Sequence, residues 1–115
     1  MTRIAIPIFQ SRVSPVLDAC TRILVVDIEQ NREIERREIY MAEFSLSERV
    51  NTLKKSHVTT VICGGISDVL HNMLNSEKIS LITGIAGEAE AVVAAFIAHR
   101  LNEPRFYMPG YKKRG

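Results

Sequence analysis

Along residues 3–9, RIAIPIF, the isoleucines Ile4, Ile6 and Ile8 alternate with Arg3 and Ala5, the period of two that marks a half-buried strand. Pro7 interrupts it. Lacking an N–H, a proline fits near a strand end or a bulge. Residues 10–15, QSRVSP, read as loop, and residues 23–28, ILVVDI, form a nearly unbroken apolar run suited to a buried strand. After the turn EQNRE, residues 33–40 (EIERREIY) are mostly charged, as befits an edge strand whose charges discourage indiscriminate pairing between sheets. Ser45 and Glu48 have capping-box spacing, and Leu46, Val50 and Leu53 follow on one helical face. Residues 58–63, VTTVIC, predict a short β-branched central strand. Ile66, Val69, Leu70, Met73 and Leu74 then recur at helical spacing. Residues 79–83 predict a further buried strand ended by Gly84. A helix from Gly87 to about Arg100 follows, with Ala89, Val92, Val93, Phe96 and Ile97 inward.

The predicted order is β-β-β-α-β-α-β-α. Two βαβ crossovers in the second half demand parallel strands, whereas the first half is a meander that makes the second strand antiparallel. The simplest arrangement is an α/β fold: a mixed five-stranded sheet, order 3-2-1-4-5, between helices on both faces, a three-layer α/β/α sandwich. Length suits one domain, 1–101, and the stretch 102–115, with Pro104 and MPGY, reads as a C-terminal tail.

Composition narrows the function. At 46% hydrophobic residues the chain can bury a core without staples. A net charge of +2, from 15 basic and 13 acidic residues, does not argue for nucleic acid, and the one basic cluster is the terminal YKKRG. No run of about 18 apolar residues exists to span a membrane, and the N-terminus lacks a signal-peptide pattern, so a cytoplasmic location is the default. Cys20 and Cys63 form neither a CxxC motif nor a zinc knuckle and read as thiols. His57, His71 and His99 have no ligand spacing and read as surface residues. Glu88 and Glu90 suit the start of a helix, where the dipole favours carboxylates. Asp27 and Glu29 lack the further converging carboxylates of a nuclease. No nucleophile–base pair can be named, so no enzyme is expected.

The stretch VICGGISDVL, 61–70, holds the candidate chemistry. Gly64 and Gly65 either serve a tight strand-to-helix turn or expose N–H groups to an anion at a helix start. The same choice applies to Gly84 and Gly87, and neither a P-loop nor a GxGxxG pattern is present. In the expected topology Cys20, before the antiparallel second strand, and Cys63, after the fourth, lie at one end of the sheet. They would be about 10 Å apart, two strand spacings, too far for a disulfide. Ligands of open α/β sheets gather outside such strand ends, and the loop carrying Ser11, Arg12 and Ser14 would overhang the place. Each cysteine is either a small buried hydrophobe or a soft ligand for an anionic metal–sulfur species.

RIAIPIF, RVSPVLDACTRILVVDIE, VTTVICGGIS and LITGIAGEAEAVV, in this order, resemble the dinitrogenase iron–molybdenum cofactor biosynthesis family over residues 2–101. The resemblance implies a ribonuclease H-like fold. It also implies non-catalytic binding or carriage of an iron–molybdenum cofactor or other molybdenum–sulfur cluster, with a protein partner in cluster transfer. The site residues would be Cys20 and Cys63 as metal ligands, with Gly64, Gly65, Ser14 and Arg12. Where relatives have roughly S-x-H-F-G-x-A/C, this chain reads Ser14-Pro15-Val16-Leu17-Asp18-Ala19-Cys20, with Val16, Leu17 and Asp18 in place of the histidine, phenylalanine and glycine. The alternative is a regulatory or scaffolding domain that binds a small phosphorylated ligand or a partner protein at the same edge.

Overall fold

The computed structural model describes residues 1–109; the terminal basic cluster lies outside them. Strands β1 (Thr2–Phe9), β3 (Arg22–Glu29) and β4 (Arg32–Tyr40) form an antiparallel meander. Strands β5 (Thr60–Ile62) and β6 (Ser80–Ile82) add in parallel, and the order is β4-β3-β1-β5-β6. The five predicted strands take the expected order.

A sixth strand, β2 (Arg12–Val13), was not legible in the sequence. β5 pairs with β1 only at Ile4 and Ala5, so beyond that point one side of β1 is open. The chain doubles back to fill it: Val13 pairs with Ile8, and Ser14 N–H donates to Pro7 O at 2.8 Å. Pro7, third residue from the end of β1, thus lies past the β5 ladder, near the strand end as expected.

Helix α3 (Ala89–Ile97) covers one face over Ile4, Ile6, Ile8, Leu24 and Val26. Helices α1 (Leu46–Lys55) and α2 (Asp68–Ser76) cover the other over Ala5, Ile23, Val25 and Val61. The layers are therefore α/β/α. Ser45 and Glu48 form the capping box read from their spacing. Val69 departs from the expected apolar stripe and is 61% exposed. The helix begins at Asp68, and Leu70 and Leu74 hold the inward face, so Val69 is turned about 100° away from it.

All three helices end in the same way. His57, Lys78 and His99 adopt left-handed φ near 60°, and the next residue donates back into the last turn: Val58 to Leu53, Ile79 to Leu74, Arg100 to Ala95. This is the Schellman pattern, made here without glycine. Two of the three histidines are accounted for as helix terminators.

The segment read as a tail packs onto the body as far as residue 109. Pro104–Phe106 make a 3-10 turn, Phe106 is buried in the α3-side core, and Tyr107 bridges to Ile85.

At the opposite end of the sheet Arg3 reaches Asp27 through Nε and, at 3.1 Å, through Nη2, and donates Nη1 to Ser56 O at the end of α1. That contact holds the Asp27 carboxyl below its ordinary value despite its burial. The carboxylate's contribution is complete above its unfolded value, near pH 4, and is lost as the pH falls through the depressed folded value. Asp27→Asn is expected to cost about 2 kcal/mol, less than a fully buried pair because Arg3 reaches solvent. Urea unfolding at pH 7 and pH 3 checks this, and the difference between variant and wild type should shrink at the lower pH.

Candidate functional site

The site is built where strands β1 and β5 end and β3 begins. β1 delivers the 10–20 segment, whose 3-10 turn Leu17–Ala19 leads to Cys20 and into β3. β5 delivers Cys63 and the two glycines. The two segments are sewn together. Gly65 N–H donates to Pro15 O at 2.6 Å, Leu17 N–H to Gly65 O at 2.9 Å, and Asp18 Oδ1 accepts Ser67 N–H at 2.9 Å while Oδ2 takes the Ser67 hydroxyl. Ser67 caps α2 through Leu70 N–H.

Several N–H groups expected to face an anion are therefore engaged within the chain. The Asp18 carboxylate occupies the α2 start, where the positive end of the helix dipole favours a negative charge. Gly84 and Ile85 donate to Gly64 O and Cys63 O, and Ala86 to Phe106 O. Gly64 is needed for close approach: a Cβ there would lie 2.8 Å from Pro15 O and 3.3 Å from Ile85 O. Gly87, at φ +126°, is needed for a conformation that side chains disfavour.

Cys20 and Cys63 both lie in the apolar cluster beneath α1 and α2, with 2% and 0% of their surface exposed. Burial pushes the Cys63 thiol up to about 12, with the Asp18 charge and Cys20 adding to it. Burial also raises Cys20, but Arg49 pulls it back. Both thiols thus carry their protons in this arrangement. Ser14 is buried, and Arg12 is exposed and paired with Glu88 at 3.0 Å, beside Ser11 Oγ at 2.8 Å from the same carboxylate. Among the described residues no three His, Cys, Asp or Glu side chains gather to hold a metal ion.

One residue escaped the sequence reading. Arg49 on α1 is only 4% exposed. Its Nη1 donates to Cys20 O at 2.7 Å and contacts Cys20 Sγ at 3.2 Å; its buried Nε has no partner, and among the described residues it forms no ion pair. The signal was its place: Leu46, Arg49, Val50 and Leu53 fall at i, i+3, i+4 and i+7, so the guanidinium stands on the inward stripe.

On the α3 side of the same segment a shallow cavity of about 200 Å³ is lined by Arg12, Val13, Pro15, Ile85, Met108 and their neighbours. Neither sulfur reaches it. A larger groove, about 370 Å³, runs between β4 and α3. Its Arg36 is already held by Glu33 and Glu90.

The sequence profile described as "Dinitrogenase iron-molybdenum cofactor" matches residues 1–99. The chain belongs to this family. The sheet and its covering helices are shared with solved structures. The crystal structure of PH0822 has 25% identity and a TM-score of 0.81, over 86% of this chain and 91% of that one. MJ0327 of Methanocaldococcus jannaschii, provisionally called a dinitrogenase, has 22% identity and a TM-score of 0.73, over 85% and 89% of the two chains. TM1290 of Thermotoga, provisionally called a NifB protein, has 19% identity and a TM-score of 0.67, over 99% and 98%. No curated protein matches the chain. Membership in the iron–molybdenum cofactor family relates the chain to that cofactor's biosynthesis. Among the described residues no helix is long and apolar enough to cross a membrane.

Proposed function

We propose that the chain is a non-catalytic binding or carrier protein for an anionic metal–sulfur cluster, iron–molybdenum cofactor-like or another molybdenum–sulfur species. The cluster is taken up beside Cys20 and Arg49 beneath the 14–20 segment. One observation carries the reading: a buried guanidinium, with an unpartnered Nε and no carboxylate among the described residues, touches a soft sulfur. A buried charge without its counter-charge costs several kcal/mol, a penalty that an arriving anion removes.

The donor set suits a sulfide-rich anion rather than a bare metal cation. Arg49 repels a cation, and the thiols keep their protons. Thiolate ligation by Cys20 and Cys63 therefore requires the anion itself to draw those protons off. Entry requires the 14–20 segment to lift, which breaks the Gly65–Pro15, Leu17–Gly65 and Asp18–Ser67 contacts together.

The test is anaerobic reconstitution with molybdate, sulfide and iron or copper, followed by elemental analysis and a visible-absorption spectrum. Stoichiometric metal with sulfide-to-metal absorption is expected. No uptake, together with thermal shifts from phosphates or nucleotides in the absence of metal, would instead identify a regulatory domain for phosphorylated ligands.

A further inference from the structure

β4 is the outer strand of the sheet and pairs on one side only, with β3. It runs for nine residues and holds no lysine or proline; its edge protection is its charges and one bulge. Its one irregularity is the bulge at Ile34, so residues 35–40 are regular. Glu33, Arg36 and Glu38 share the α3 face. There Arg36 binds Glu33 and Glu90, and Glu38 binds Arg22. Glu35 and Arg37 stand on the other face, opposite Asp27 and Val25. Among the described residues, neither Glu35 nor Arg37 makes a hydrogen bond or an ion pair.

We propose that β4 pairs antiparallel with β4 of a second copy of this chain about a two-fold axis at Arg36, joining the two sheets into one. In an antiparallel pair about such an axis, opposed residues share a face, so the register moves in steps that centre on one residue. Centred on Arg36, each Glu35 faces the other copy's Arg37, twice by symmetry. The central Arg36 pair is neutralised by each chain's own Glu33 and Glu90. Centring on Glu35 or on Arg37 instead opposes two like charges that no hydrogen bond or ion pair among the described residues neutralises, which is unfavourable. The charges of β4 thus favour this register over the two neighbouring ones.

The full chain is measured by sedimentation velocity over roughly 1–100 µM, a range in which mass action reveals association. The expected mass approaches twice 12.9 kDa as concentration rises. Arg37→Glu and Glu35→Arg are each expected to weaken the dimer about tenfold or more, because each turns both cross-strand pairs into like charges. The double swap E35R/R37E is expected to restore it. Circular dichroism and melting of each variant confirm the fold. A wild-type chain that stays monomeric at the top of the range, or a dimer indifferent to both single reversals, overturns the proposal.

Discussion

Arg49→Met is expected to abolish the response of this chain to anionic metal–sulfur species while leaving the unliganded fold as stable as before, within about 1 kcal/mol. The two halves of that expectation have one cause. In the unliganded chain the guanidinium is a buried charge with an unpartnered Nε and no carboxylate among the described residues, and methionine replaces its stem without the charge. Against that gain, Cys20 O loses the donor it holds at 2.7 Å, a loss of about 1 kcal/mol. A side chain conserving only stability would not be arranged this way. With an anion bound, the same charge becomes favourable. Wild type held at about 100 times the dissociation constant of tetrathiomolybdate should gain about 2.7 kcal/mol. In a domain of this size that is a rise of roughly 10 °C in Tm. The variant should show none. Melting curves of both proteins with and without the thioanion, under anaerobic conditions, check this; equal shifts in the two would remove Arg49 from the site.

Phe106→Ala is expected to be the most destabilising of the substitutions considered, costing about 3 kcal/mol and lowering Tm by roughly 10–15 °C. The ring is 2% exposed in the α3-side core, so its removal leaves a cavity among packed apolar neighbours. The effect reaches beyond packing. Phe106 O accepts Ala86 N–H at 2.7 Å, and a Cβ at Gly87 would lie 3.8 Å from the ring. Two residues on, Met108 N–H donates to Gly84 O and its sulfur closes over Gly64. Loss of the ring therefore loosens the 84–88 turn and the cavity beside Pro15 together. Chemical denaturation gives the stability change, and hydrogen exchange at Ala86 and Met108 should accelerate more than exchange in α1. Uniform acceleration would mean that the segment 102–109 is merely attached.

What was legible in the sequence follows period and connectivity. Alternation gave β1, the charged run gave β4, and the Ser45–Glu48 spacing gave the start of α1. The crossover rules then left one economical strand order. β2 was invisible because two residues carry no period; it exists to complete β1 where β5 stops. Val69 was misplaced because a stripe counted from Ile66 ignores where Ser67 caps the helix. Segment 102–109 looked like a tail because proline-rich sequence has no periodicity, and only packing shows that Phe106 is a core residue. At the site, topology indicated which end of the sheet would carry Cys20 and Cys63, but not how that end is finished. The carboxylate of Asp18 on Ser67 and the seam between Pro15, Leu17 and Gly65 depend on contacts across some fifty residues of chain. Residue type does not mark Arg49, because arginine on a helix is ordinarily solvated.

The most direct measurement is the anomalous scattering of molybdenum in crystals of the wild-type chain soaked anaerobically with tetrathiomolybdate. One molybdenum peak is expected between the 14–20 segment and the Cys63–Ser67 turn, with its sulfurs within hydrogen-bonding reach of the Arg49 guanidinium. A peak in the cavity lined by Arg12 and Met108, with Arg49 still buried and unpartnered, would contradict it.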